Sequence, residues 1–165
     1  DHFLDIGLGD WDRMFAINVT SLVAICQEAL PHLCESRGNI VNMSSASALC
    51  GAAYWSAYAA SKAALNLMTK SLAHVLAPEI NINTVVPGMI QTRWLKGGMG
   101  EEQYEAMLKS TGAQLPLKKV ATPEDIAAVL VWFLESAHLI TGETLIVDSG
   151  IHIGTLPPYS SGDSY

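Results

Sequence analysis

The sequence predicts an α/β fold, a doubly wound parallel sheet with helices on both faces. Segments with apolar residues at helical spacing alternate along the chain with short, continuous apolar segments. An order of helix, strand, helix, strand requires crossover connections, and these make the strands parallel. The short segments lack the alternation of polar and apolar residues seen in half-exposed strands, as expected when both faces of a sheet are buried.

The first predicted element is a helix over residues 9–33. Asp10 is its predicted N-cap, and Asp12 lies in the first turn, where a negative charge is favourable. Pro31 is expected to bend or end this helix. Residues 38–45, "GNIVNMSS", form a short strand that the chain enters through a turn.

The same alternation continues to residue 150. The later elements are a helix at 55–77, a strand at 82–88, a short helix at 101–110, a helix from Thr122 to residue 136 and a strand at 144–150. Thr122 is the predicted N-cap of the last helix, with Pro123 at its first position. Residues 1–152 form one domain, and residues 153–165 are a Pro-, Ser- and Gly-rich tail.

The composition fits one globular domain and disfavours several classes of protein. Of the 165 residues, 50% are hydrophobic and 15% are charged, enough to bury a core. A net charge of −7 with scattered Lys and Arg disfavours nucleic-acid binding. No unbroken apolar run is long enough to cross a bilayer, so we expect no membrane partner. Three cysteines without C-x-x-C spacing and five histidines without paired-ligand spacing predict no metal site and a cytoplasmic location.

Tyr58 and Lys62 are the first candidates for chemistry. Side chains at i and i+4 lie on one face of a helix. A phenol ionises only near pH 10, but a nearby ammonium stabilises the phenolate, so the pair could exchange a proton with an alcohol or alkoxide. Ser45 follows a predicted strand and could hydrogen-bond the same oxygen. The spacing alone is a weak signal, and a solvated surface pair is the alternative.

The surroundings of this pair strengthen the signal. "NMSSASALCG" followed by "YAASK" resembles the active-site core of the short-chain dehydrogenase/reductase family, and Ser45 lies thirteen residues before Tyr58, a spacing common there. "FAINV" supplies Asn18, forty residues before Tyr58. "VVPGMIQT" is similar to the family's P-G-x-I-x-T segment, and "TPEDIAAVLVWFLES" and "ITGETLIVDSG" resemble its last helix and strand. The resemblance covers nearly the whole chain and implies a Rossmann-like fold, of which this sequence carries the second half.

The resemblance implies four catalytic residues. Tyr58 is expected to be the general acid/base, and Lys62 to favour its phenolate and to bind the nicotinamide ribose. Ser45 is expected to polarise the substrate carbonyl, for which Ser44 is a competitor that the spacing disfavours. Asn18 is expected to hold a water that links Lys62 to solvent.

The resemblance also implies a cofactor, NAD or NADP, and a small carbonyl or alcohol substrate. The residues expected to contact the cofactor are Tyr58, Lys62, Pro87, Gly88, Ile90 and Thr92. Those expected to contact the substrate are Ser45, Ser47, Met89 and Trp94. The helices that carry Asn18 and Tyr58 are expected to build a homodimer or homotetramer.

The family's glycine-rich turn, T-G-x-x-x-G-x-G, does not occur in this sequence. By resemblance, Asp1 falls just after the family's fourth strand. The strands present would then leave one sheet edge unpaired and an apolar face uncovered. We therefore expect that residues 1–165 alone do not form a stable, active monomer. Two functions stay open, an NAD(P)-dependent oxidoreductase and a truncated, non-catalytic fragment that serves as an oligomerisation or binding module.

Overall fold

The computed structural model describes residues 3–50, 55–97 and 100–154, except the side chains of Leu4, Trp94 and Leu95. The helices are α1 (Leu8–Phe15), α2 (Ser21–Ser36), α3 (Ser47–Cys50), α4 (Ser56–Leu76), α5 (Arg93–Lys96), α6 (Glu101–Gln114) and α7 (Pro123–Glu135). The strands are β1 (Asn39–Met43), β2 (Asn81–Pro87) and β3 (Thr144–Val147). A π-helical segment, Ala16–Thr20, joins α1 to α2. The predicted tail lies, from residue 155 onward, outside the described residues.

The strands form one parallel sheet, as predicted, and their order in it is β1-β2-β3. Asn39 of β1 is opposite Asn81 of β2, and Thr84 of β2 is opposite Thr144 of β3. The central strand β2 is buried from its second residue to its last. Its sequence is mostly apolar without alternation because both of its faces are covered.

A separate apolar core lies on each face of the sheet. On one face, Ile126 and Phe133 of α7 pack with Val85 of β2. On the other face, α2 and α4 pack on the sheet, with Leu76 and Ile82 at the centre of that cluster. The predicted coverage of both faces by helices is confirmed, and each core depends on one face of β2.

Buried hydroxyl groups fasten α4 to the sheet beneath it. The Thr69 hydroxyl accepts hydrogen bonds from Asn42 Nδ2 at 2.8 Å and from Thr84 Oγ1 at 2.8 Å, and it donates to the Leu65 carbonyl at 3.0 Å. A hydroxyl has one donor and two acceptor sites, so Thr69 is fully satisfied. This network links α4, β1 and β2 in the interior, where an unpaired polar group would be costly.

The first helix begins and ends differently from the prediction. Gly7 is the N-cap, and Asp10 occupies the third helical position, where its carboxylate accepts from the Gly7 N–H at 3.1 Å. A carboxylate at that position satisfies a free backbone donor just as a capping side chain does. The chain also stays helical beyond Pro31 to Ser36, because Leu33 packs in the core and offsets the hydrogen bond that proline removes.

The helical run Leu8–Ser36 is long and apolar enough to cross a membrane, by length and composition alone. The sequence does not indicate this through an unbroken apolar run, because polar residues interrupt the segment. Only 6% of its most apolar window is buried. Ile17 and Ile25 are exposed along it at 57% and 64%. The run therefore presents exposed apolar side chains.

Strands β2 and β3 approach each other closely where they end. The Gly88 N–H donates to the Val147 carbonyl at 3.2 Å. A Cβ atom at Gly88 would lie 2.9 Å from both the Cα and the Cβ of Asp148. The contact is with backbone, which cannot rotate away, so glycine is required here for space.

Replacement of Thr69 by Val should destabilise the fold, because it leaves the donors of Asn42 and Thr84 buried without an acceptor. We expect a loss of about 1–3 kcal/mol in the free energy of unfolding, measured by urea denaturation. Thr84→Val is the matched control, since it removes one hydrogen-bond donor and leaves no other donor without an acceptor. An equal or larger loss for Thr84→Val would contradict this account of the network.

Replacement of Gly88 by Ala should cost about 1–3 kcal/mol, because the added methyl group presses on the backbone of Asp148. Gly9→Ala is the control, since no atom lies within 4 Å of its added Cβ. Within α1 that change should stabilise by about 0.5–1 kcal/mol. Thermal melts of both variants measure the difference, and similar melting temperatures would contradict the steric argument.

Candidate active site

Ser45 is positioned by an extension of the strand pairing beyond β1. The Ser44 N–H donates to the Val85 carbonyl at 2.8 Å, and the Ala46 N–H donates to the Pro87 carbonyl at 2.8 Å. The intervening Ser45 therefore lies at the carboxyl edge of the sheet, where open α/β folds bind their ligands. Its Oγ accepts from the Ser47 N–H at 3.3 Å.

Ser44 points elsewhere. Its side chain is buried, and its hydroxyl donates to the Lys62 carbonyl at 3.2 Å. Its contact ties the end of β1 to the backbone of α4. Of the two neighbouring serines, only Ser45 lines the cavity described below.

Tyr58 and Lys62 lie along one side of α4. The residues that precede them, Ala57 and Ser61, are buried, whereas Tyr58 and Lys62 are each half-buried. The Lys62 Nζ atom is 5.8 Å from the centre of the Tyr58 ring. Both side chains thus stand at the rim of the helix–sheet interface, near the carboxyl ends of the strands.

The Lys62 ammonium is held by a backbone carbonyl. Its Nζ donates to the carbonyl of Met43, the last residue of β1, at 2.8 Å. Burial lowers the pKa of Lys62, because partial removal from water disfavours the charged form. The carbonyl contact fixes where the ammonium stands relative to the Tyr58 ring.

Asn18 reaches α4 through Ser61. It lies in the π-helical segment, a type of irregularity that is frequent at functional sites. Its Nδ2 donates to Ser61 Oγ at 2.9 Å, and that hydroxyl donates to the Tyr58 carbonyl at 2.7 Å. Sequence reasoning missed Ser61, although its place next to Lys62 in "YAASK" was a signal. The hydrogen bond from Asn18 to Ser61 holds α4 against the π-helical segment, at a point on α4 between Tyr58 and Lys62.

The segment that follows β2 is fixed by the residues that precede α7. Ile90 forms a parallel bridge with Ala121. The Gln91 N–H donates to the Ala121 carbonyl, and its Nε2 donates to the Val120 carbonyl, both at 2.9 Å. Because Gln91 is anchored by its backbone and its side chain, Ile90 and Thr92 on either side of it are held beside the Ser45–Tyr58 region.

These elements border an open cavity of about 560 Å³, within the range typical of small-molecule sites. The residues that line it are Met14, Ser45, Ser47, Trp55, Tyr58, Gly88, Met89, Ile90 and Thr92. Seven of the sequence-predicted site residues are in this set. Lys62, Asn18 and Pro87 are not, and the Trp94 side chain lies outside the described part of the chain. Met14 was missed, although it lies one helical turn before Asn18.

Comparison with known protein families gives a match over most of the chain. The family model "Enoyl-(Acyl carrier protein) reductase" matches residues 1–152. A probable short-chain type dehydrogenase/reductase of Bradyrhizobium diazoefficiens is 35% identical over 162 residues, which are 96% of this chain and 56% of that protein. The short-chain dehydrogenase/reductase homolog YusR of Bacillus subtilis is 40% identical over 127 residues, which are 76% of this chain and 93% of YusR.

Two solved structures show the same fold. The aldohexose dehydrogenase of Thermoplasma acidophilum aligns with a TM-score of 0.88 at 29% identity, covering 96% of this chain and 65% of that one. A short-chain dehydrogenase/reductase of Brucella melitensis, named glucose/ribitol dehydrogenase, aligns with a TM-score of 0.79 at 34% identity, covering 92% of this chain and 60% of that one. Except for YusR, these relatives extend well beyond the aligned part. The match over residues 1–152 shows that the chain belongs to the short-chain dehydrogenase/reductase family.

Proposed function

We propose that this chain carries the catalytic part of an NAD(P)-dependent oxidoreductase that interconverts a carbonyl and an alcohol by hydride transfer. One observation carries the proposal: the hydroxyl-bearing side chains of Ser45 and Tyr58 line the same cavity, and the Lys62 ammonium stands 5.8 Å from the Tyr58 ring. Carbonyl reduction needs a proton donor and stabilisation of the developing alkoxide, and a phenol beside a hydroxyl donor and a cation can supply both.

Each of these side chains has one task in the proposed reaction. In the reducing direction, Tyr58 gives its phenolic proton to the developing alkoxide, and Ser45 donates a hydrogen bond to the same oxygen. Lys62 stabilises the phenolate that remains, because its ammonium is the nearby positive charge. Asn18 acts through Ser61 to hold this part of α4 in place. The water relay expected from the resemblance remains a prediction.

The cavity wall fits a nicotinamide ring. Met89 and Ile90 give an apolar surface for a flat ring, and Thr92 adds a hydroxyl that can bond an amide. Pro87 and Gly88 hold that wall at the end of β2, and Lys62 would contact the ribose. When bound, the nicotinamide supplies or accepts the hydride. These residues would contact the nicotinamide end of the cofactor, so they do not decide between NAD and NADP.

We further propose a homodimer or homotetramer that forms through the helices carrying Asn18 and Tyr58. Exposed apolar side chains lie on both helices, among them Ile17, Ile25 and Leu67. Burial of such surface is the main driving force for association. A membrane-spanning role for residues 8–36 is disfavoured, because the run would have to leave α4 and break the contact between Asn18 and Ser61. A cytoplasmic location is part of the same proposal.

The alternative function, a non-catalytic oligomerisation or binding module, rests on the length of the chain, which spans 56% of its Bradyrhizobium relative. A pure scaffold has no need of the grouped side chains of Ser45, Tyr58 and Lys62. Their arrangement around one cavity therefore favours the enzyme. The variants below separate the two functions.

Tyr58→Phe should lower kcat by about 10²–10⁴-fold, because it removes the proton donor and leaves the ring in place. The assay follows oxidation of NADH and NADPH by the full-length protein with a panel of ketones and aldehydes. Tyr104→Phe is the control and should leave kcat unchanged. Full turnover by Tyr58→Phe would remove Tyr58 from the mechanism, and a wild type inactive on every carbonyl would favour the binding module.

Ser45→Ala and Ser44→Ala form a second, internally matched pair. Ser45→Ala should lower kcat by about 10²–10³-fold, because the substrate oxygen loses a preorganised donor. Ser44→Ala should instead lower the melting temperature and spare kcat in the folded protein, because its hydroxyl bonds the backbone of α4. Steady-state kinetics and thermal melts on both variants test this division, and the reverse pattern would assign the substrate contact to Ser44.

A further inference from the structure

A buried carboxylate organises the turn that follows β3. Asp148 is 5% exposed. Its Oδ1 accepts from the Gly150 N–H at 2.8 Å, and its Oδ2 accepts from the His152 N–H at 2.9 Å. The Nδ1 atom of the His152 ring lies 2.8 Å from Oδ2 and 2.9 Å from Oδ1. A carboxylate only accepts, so Nδ1 carries the hydrogen, and the orientation of the imidazole is fixed.

The His152 side chain does not pack in an apolar core. Because this side chain is 34% exposed, it stabilises the turn mainly through its contact with Asp148 rather than through apolar packing. A buried carboxylate depends on the donors around it, because each of them replaces a lost contact with water. Loss of the ring donor therefore weakens the hold on Asp148 more than it changes apolar packing.

The turn formed by residues 148–152 is wedged between two segments. On one side, Asp148 packs on Gly88 with no room for a methyl group. On the other side, a Cβ atom at Gly150 would lie 2.8 Å from Pro116 Cγ, and the Leu117 N–H donates to the Ser149 carbonyl at 3.2 Å. A displacement of the turn therefore also displaces Gly88, because the close packing leaves no free space between them.

We propose that Asp148 and His152 form a positioning pair that holds the cavity-lining segment 88–92 in the shape that accepts a nicotinamide cofactor. The proposal rests on the function proposed above and adds two residues that line no part of the cavity. His152 acts through Asp148, and Asp148 acts through Gly88. Neither side chain touches a reacting atom.

The test compares His152→Ala with His152→Asn in the protein expressed with its native flanking sequence. The Ala variant should raise the KM and the Kd for NADH or NADPH by about tenfold, with a much smaller change in kcat, because the segment that binds the cofactor is misplaced. The Asn variant should restore both constants, since its amide N–H stands near the position of Nδ1. His74→Ala, on the exposed surface of α4, is the control and should change neither constant.

Hydrogen exchange decides the positioning role without any cofactor. The amides of Gly88 and Gln91 donate to the Val147 and Ala121 carbonyls, so both should be protected in the wild type and exchange faster in His152→Ala. Unchanged exchange, or cofactor constants equal to those of the wild type, would overturn the pair's role. A wild type that binds neither nucleotide would instead overturn the proposed function, and faster exchange in His152→Ala would then still support the positioning of segment 88–92.

Discussion

The attachment of α4 to the central strand β2 is the constraint on which the candidate site depends. Thr69 bonds to Asn42 of β1 and to Thr84 of β2, so one hydroxyl fixes the helix relative to two strands at once. Tyr58 lies three turns earlier on the same helix, about 16 Å away at 1.5 Å per residue. Because α4 is continuous from Ser56 to Leu76, the buried network helps to set where the phenol stands at the carboxyl edge of the sheet.

The elements of the fold were predictable because their signals are local. Short stretches rich in β-branched residues mark β1, β2 and β3, and Thr122 with Pro123 marks the start of α7. The errors occurred where tertiary packing outweighs a local rule. Pro31 was predicted to bend or end the helix, and it does not end α2, because Leu33 packs in the core beyond it. The start of α1 was misplaced because an aspartate can cap a helix from its third position as well as from its first.

The candidate site was predictable to the extent that it follows from strand ends and helix faces. Ser45 and Gly88 lie where adjacent parallel strands finish, and Tyr58 lies on a helix beside them. Met14 and Ser61 could not be placed by such rules. Their roles depend on how α1 and the π-helical segment cross α4, which is a property of packing between helices distant in sequence. The contact of Asp148 with Gly88 depends on packing in the same way, since it appears only in three dimensions.

Two surfaces bear on what this part of the family fold can do alone. Within the described residues β1 pairs only with β2, and Val131 and Trp132 on the neighbouring helix α7 are exposed at 48% and 43%. A free strand edge beside exposed apolar side chains favours association with further polypeptide. YusR, of which this chain covers 93%, shows that the family includes other chains of about this length. The instability expected of the isolated chain therefore remains a prediction, and the same question applies to YusR.

The electrostatics of Lys62 connect the fold to the proposed chemistry. Burial lowers its pKa, so between that value and the ordinary 10.5 the unfolded chain binds more protons than the folded one. The contribution of Lys62 to stability thus rises with pH through that window, because the charged form is less favoured in the fold than in water. The Met43 carbonyl offsets part of this cost, but a dipole does so less well than an anion. In the proposed reaction, the phenolate left at Tyr58 would place a negative charge near this ammonium and would offset more of its burial cost than the carbonyl does.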